Sequence, residues 1–200
     1  MSMYYVNQLE HEDIEYETGL RLPKKDREKF AEKANIKCAG CGICSGSMLI
    51  TELTGRKLTL EEYRDLSYLS KANLDPGTDM MIYGQALCER FGILMETSDE
   101  GKDLVKCLES GGKAIVNVGG DHDDYKGIFA SVGHFIFARR YVPDSFEVEI
   151  LDPSFRPGKF DCENAAGKVR TEGFVCYCGI DILKEETMNR SPGYYLFFNP

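Results

Sequence analysis

The sequence has no long apolar run, no excess of positive charge and only 3 histidines. No segment approaches the ~20 consecutive apolar residues a membrane span requires. Lys and Arg number 24 against 33 Asp and Glu, a formal net charge of -9. Such a chain repels phosphate backbones, which argues against general binding to nucleic acid or an anionic membrane. Residues 1–8 lack the basic start and apolar stretch of a secretory signal, so the expected location is the cytoplasm. No internal repeat, low-complexity tract or linker divides the chain. Its 200 residues, 42% hydrophobic and 28% charged, suffice for a domain with its own core.

Cysteine, by contrast, is abundant: Cys38, Cys41, Cys44, Cys88, Cys107, Cys162, Cys176 and Cys178. A reducing compartment disfavours a disulfide framework. That leaves buried small hydrophobes, metal ligands or a nucleophile. Cys88 and Cys107 lie within amphipathic helical patterns and read as small hydrophobes.

The hydrophobic period divides the chain into a helical first part and a stranded second part. Residues 1–25 form a polar, irregular segment with exposed Glu10, Glu12, Asp13, Glu15 and Glu17; the remainder, 26–200, reads as one domain. Asp26 to Lys33 can form a short helix, and a helix carrying Ile43, Leu49, Ile50 and Leu53 ends near Gly55. Thr59 with Glu62 makes a capping box for a helix through Ser70. Thr78 is the expected cap of a third, stopped by Gly92, and Ser98 or Asp99 starts a fourth carrying Leu104, Val105 and Leu108. Ala114 to Val118, Val132 to Arg139 and 193–198 read as strands. Phe146, Val148 and Ile150 alternate with Glu147 and Glu149, as on a half-buried strand. Residues 174–183 are ambiguous between strand and helix. Helices first and antiparallel strands later define an α+β fold.

Two places carry candidate chemistry. Val142-Pro143-Asp144 is a natural turn. If Pro143 is the middle of a three-residue loop, Tyr141 faces Ser145 and His134 falls opposite Asp152. An imidazole beside a carboxylate is either a tuned base or a structural ion pair. His122, among Asp121, Asp123 and Asp124, reads as part of a solvated loop, and His11 carries no signal. The second place is Cys38-Ala39-Gly40-Cys41-Gly42-Ile43-Cys44. Cys41 falls in the first turn of a helix, where free N–H groups and the helix dipole favour a thiolate. Its glycine neighbours keep it accessible, and His134 is the best-placed base. Alternatively Cys38, Cys41 and Cys44, with Cys176 and Cys178, resemble part of a zinc or iron–sulfur ligand set.

A Cys opening a helix, a downstream strand His and an Asp closing the next strand resemble the papain-like order. Gly40-Cys41-Gly42, Gly133-His134-Phe135 and Asp152-Pro153 resemble, more closely, the soluble relatives of the bacteriocin-processing, double-glycine leader peptidases. The likeness covers roughly residues 35–155. It implies N-terminal helices packed on an antiparallel β-sheet, with Cys41 as nucleophile, His134 as general base and acid, and Asp152 orienting His134. Where the family places a Gln six residues before the Cys to complete the oxyanion hole, this chain has Asn35, one methylene shorter. Ile43-Cys44 replaces the usual Pro-Thr. The leader-cleaving members are joined to a transporter domain that these residues do not contain, so their substrate does not carry over.

The resemblance implies a cysteine peptidase, or a related acyltransferase, acting on a peptide or small amide. No cofactor or metal is expected for that chemistry, and no nucleic-acid or membrane partner. The alternatives are a non-catalytic peptide-binding module on the same fold and a metal or redox protein using Cys38, Cys41 and Cys44.

Overall fold

Local signals set most helix boundaries. In the computed structural model, which describes residues 3–31 and 34–200, α1 spans Lys24–Ala31, two residues ahead of the expected start. The expected end at Lys33 lies outside the described residues. A single turn, α2 (Ile36–Ala39), precedes α3 (Cys41–Thr54), which Gly55 ends in the left-handed conformation. For α4 (Leu60–Ser70) the capping box forms as expected: Thr59 Oγ1 accepts from the Glu62 N–H and Glu62 Oε2 from the Thr59 N–H.

In α5 (Met80–Phe91) the cap is Asp79 rather than Thr78. Asp79 Oδ1 accepts from the Met81 and Ile82 N–H groups, whereas the Thr78 hydroxyl is taken by Tyr16 at 2.9 Å. After β1 (Leu94–Ser98), α6 (Gly101–Glu109) begins past both residues expected to start it, because Ser98 still belongs to the strand.

The sheet is completed by β2 (Lys113–Val118), β3 (His134–Val142), β4 (Glu147–Leu151), β5 (Val169–Glu172), β6 (Val175–Gly179) and β7 (Tyr194–Phe198). The ambiguous stretch at 174–183 divides into β6 followed by α7 (Ile180–Thr187). The strand order is β1-β7-β2-β3-β4-β6-β5, with every pairing antiparallel.

The fold is α+β, as expected, with both sheet faces covered. Ile43, Met48 and Leu49 of α3 pack with Tyr63 and Leu87 over Ile115, Phe137, Tyr195 and Phe197 on one face. Leu104, Leu108 and Leu183 of α6 and α7 cover Val116, Ile136, Ile150 and Leu196 on the other. Consequently β4 is not half-buried. Glu149 is 1% exposed, and its carboxylate accepts from Arg139 at 2.5 Å and Arg140 at 2.7 Å, which compensates for its burial. Phe146, expected on the buried side, lies in the turn with φ 56° and is 71% exposed.

The polar N-terminal segment holds one 3-10 turn, Gln8–Glu10, ahead of α1, and Glu10, Glu12, Asp13, Glu15 and Glu17 are exposed. Val6, Ile14 and Tyr16 nevertheless enter the helix-side core. The segment also straps the molecule: Gln8 N–H donates to Pro153 O at 2.7 Å, and Gln8 Nε2 to Lys37 O at 2.8 Å. It therefore joins α2 to the loop after β4.

Candidate active site

Three elements converge at one end of the sheet. His134 opens β3, and Asp152 follows the last residue of its antiparallel neighbour β4, so both lie at the same end. Cys41 is the first residue of α3, which runs along β3. Two bonds fix that helix: Ser45 Oγ donates to Phe135 O at 3.1 Å, and Arg139 Nε donates to Glu52 at 2.8 Å. Ser45 lies one turn after Cys41, so its anchor on Phe135 brings the thiol beside His134.

The route to the His134–Asp152 contact differs from the one read in the sequence. Val142 pairs with Glu147 across a four-residue turn, and a bulge between Ala138 and Arg140 shifts the register, so Phe137 faces Leu151. At this end of the ladder the slip amounts to two positions, which leaves side chains on the same face. His134 Nε2 then reaches Asp152 Oδ1 at 2.9 Å. Ser154 lies at the register position opposite His134, and its hydroxyl lies 3.1 Å from Nε2 and donates to Asp152 Oδ1 at 3.0 Å.

With Nε2 committed to Asp152, Nδ1 is the imidazole nitrogen left for the thiol. Burial opposes ionisation of Cys41, but the hydrogen bond and positive charge of His134 outweigh it, and the thiol pKa falls. Burial likewise disfavours the imidazolium, yet Asp152 and Cys41 raise His134 to about 9. Asp152 is fully buried, and His134 and Lys159 together hold it well below the usual carboxylate range against that burial. The two shifts act in the same direction, towards a thiolate–imidazolium pair. Burial instead pushes up the thiols of Cys44, Cys88, Cys107, Cys176 and Cys178.

The neighbouring glycines have packing reasons. A Cβ at Gly40 would meet Ile36 O at 2.6 Å, and one at Gly42 would meet Thr78 Cβ at 2.8 Å. The thiol itself opens onto a cleft of about 640 Å³, lined also by Asp79, Asn117, Arg190 and Tyr195. Asn35 is not among the residues lining it. Its Oδ1 caps α2 by accepting from the Cys38 N–H at 3.0 Å.

Cys38 is exposed, Cys41 half-buried and Cys44 buried in the core. Among the described residues, no group of three or more His, Cys, Asp or Glu side chains is disposed to hold a metal. His122 stacks on Tyr125 in the loop before β3. No helix among the described residues is long and apolar enough to cross a membrane. Sequence reasoning missed Lys159, whose ammonium contacts Asp152 Oδ2 and donates to Ser154 Oγ at 2.7 Å. It also missed Arg190 in the cleft. Both reach the site from loops without a periodic pattern.

No protein-family model and no curated protein sequence matches the chain. Solved structures do. The peptidase domain of Streptococcus ComA, a bifunctional ABC transporter of a quorum-sensing pathway, aligns with a TM-score of 0.51 at 16% identity, over 81% of this chain and 92% of that one. A protein described as a C39-like peptidase from Bacillus anthracis aligns with a TM-score of 0.60 at 10% identity, over 100% of this chain and 96% of that one. The chain has the papain-like C39 peptidase fold. At these identities the likeness establishes architecture, and the chemistry rests on the residues of this chain.

Proposed function

We propose that the protein is a cysteine peptidase, or a closely related amide hydrolase, acting through Cys41, His134 and Asp152. The observation that carries this reading is the set at the mouth of the cleft: a helix-opening thiol that shares the cleft with an imidazole whose far nitrogen is 2.9 Å from a buried carboxylate. The Cys41 thiolate attacks the amide carbonyl. Cys41 is the first residue of α3, so its N–H has no carbonyl of that helix to serve and is free to bind the oxyanion. Asn35 is the proposed second donor, through Nδ2, because the cap bond uses only its Oδ1. His134 then gives its proton to the leaving amine, and water, deprotonated by His134, hydrolyses the thioester to regenerate Cys41. An amine in place of that water makes the same site an acyltransferase.

A second reading, a peptide-binding module without turnover, is favoured by one observation: Asn35 is committed to α2 and does not line the cleft. Cleavage of a mixed peptide library, followed by mass spectrometry, separates the two. The wild-type protein should produce new peptide termini, and Cys41→Ala should produce none while retaining its far-UV circular dichroism. Undiminished cleavage by Cys41→Ala would remove Cys41 from the mechanism. Peptide retention without cleavage by the wild type would establish the binding module.

A further inference from the structure

The cleft contains a cation that the triad does not use. Arg190 lies in the loop between α7 and β7. Its Nη2 donates to Gly119 O at 3.3 Å, while its Nε is buried without a partner. Among the described residues no Asp or Glu forms an ion pair with it. That is unexpected in a chain with 33 carboxylate side chains for 24 Lys and Arg. The carboxylate lining the same cleft, Asp79, spends Oδ1 on the N-terminus of α5. A buried guanidinium N–H left unpaired is costly, and a ligand acceptor relieves that cost.

Its position is defined by Gly133. A Cβ at that residue would lie 2.2 Å from Arg190 Nη2, so the guanidinium rests against the backbone immediately before His134. His134 must protonate the leaving amine, which places the leaving group on the His134 side of Cys41. Arg190 therefore borders the leaving-group side. The guanidinium fork matches a carboxylate in two parallel hydrogen bonds. Val132, 70% exposed, and Tyr195 provide apolar walls beside it.

We propose that Arg190 is a specificity residue that binds a carboxylate on the leaving-group side of the substrate. The substrate class is then an amide whose leaving amine carries a carboxylate close to the scissile bond. That carboxylate is either the α-carboxylate of a C-terminal residue or the side chain of Asp or Glu. The proposal rests on Cys41 as nucleophile and His134 as acid.

The test uses alkylating probes that place a group on this side of the thiol. N-iodoacetyl-glycine and N-iodoacetyl-glycinamide both react by displacement of iodide by the Cys41 thiolate, and differ in a carboxylate against a neutral amide. N-iodoacetyl-aspartate α-amide moves the carboxylate to a side chain. At pH 6 the wild-type protein should react about tenfold faster with a carboxylate probe than with the neutral one, the ratio expected for a charge-assisted pair. Which acid probe gains the advantage identifies the carboxylate source. In Arg190→Gln the ratio should fall towards one, and Arg190→Lys, which retains the charge and serves if the Gln variant fails to fold, should keep part of it. Rapid labelling with equal rates, or a preference unchanged in both variants, would overturn the Arg190 proposal alone. Slow labelling by every probe, as for an ordinary thiol, would instead overturn the Cys41–His134 reading and this proposal with it.

Discussion

Asp152 is shared between two cations, with His134 Nε2 at 2.9 Å from Oδ1 and the Lys159 ammonium on Oδ2. A fully buried carboxylate is tolerated only when such partners compensate for its lost hydration. Lys159, 11% exposed at its side chain, gives up hydration of its own to serve there. Its removal leaves one oxygen of a buried charge without its ion-pair partner.

Lys159→Met should therefore lower stability by about 2 kcal/mol at pH 7, read from urea unfolding midpoints. The sign of the pH effect follows from the depressed carboxylate. Its contribution is fully present above the unfolded value near ~3.9 and is lost as pH falls towards the lower folded value. Lys159 is one of the groups that depress Asp152, so in Lys159→Met the contribution at neutral pH should be smaller and its loss complete at a higher pH than in the wild type. Identical midpoints for the two proteins at pH 7 and pH 4 would show that the ammonium contributes nothing to holding Asp152.

The thiol and imidazole make a second pH prediction. Cys41 is shifted down and His134 up to about 9, so both shifts widen the pH range in which the charged pair exists. Amide hydrolysis should rise as pH climbs through the lowered Cys41 value and fall as His134 loses its proton near 9. The stabilising contribution of protonated His134 follows the same upper limit, being complete below ~6.5 and lost through about 9. In His134→Ala, burial acts on the thiol opposed only by the backbone hydrogen bonds of Phe135 and Gly42. Iodoacetamide labelling of Cys41 at pH 6 should then slow on the order of 100-fold, since an ordinary thiol near pKa ~8.5 is less than about 1% ionised there. A pH profile unchanged by that substitution would show that His134 does not set the thiolate.

What the sequence reveals depends on how far each signal reaches. The Thr59–Glu62 capping box, the Gly55 and Gly92 helix ends and the strand at Ala114 to Val118 are local, and each appears in the structure as read. Thr78 looked like a helix cap because its claim on Tyr16, 62 residues away, is invisible to a local pattern. The turn after β3 was misjudged for a similar reason. Phe146 adopts a positive φ that bulky residues rarely take, and the bulge near Arg139 accompanies the clamp on Glu52 and Glu149. β1 and β5 escaped notice because they are edge strands with mostly exposed side chains.

At the site, the order of Cys41, His134 and Asp152 was legible from motif context, and the structure brings the three together. Lys159 and Arg190 were not, since each reaches the site from an irregular loop, Lys159 folding back on Asp152 and Ser154 and Arg190 reaching Gly119 across 71 residues. Asn35 was legible only by its offset from Cys41, and that offset does not reveal that its side chain also caps α2.

The loop that delivers His134 depends on another buried carboxylate. Glu186 of α7, 1% exposed, accepts from the Tyr125 hydroxyl at 2.6 Å and from the Ile128 and Phe129 N–H groups at 2.8 and 3.2 Å. Its own carbonyl accepts from the Gly119 N–H at 2.7 Å. One residue thus ties both the start and the middle of the β2–β3 connection to α7. Glu186→Gln preserves the shape but replaces one acceptor by an NH₂ that meets a donor. The expected cost is about 2 kcal/mol in urea unfolding, with faster hydrogen exchange at the Ile128 and Phe129 amides. Because His134 is continuous with this loop, Cys41 labelling at pH 6 should slow in the same variant, while a Thr59→Ala control, which loses about 1 kcal/mol at the distant α4 cap, should leave that labelling intact. Exchange at Ile128 and Phe129 unchanged in Glu186→Gln would show that the loop is held by its apolar contacts instead.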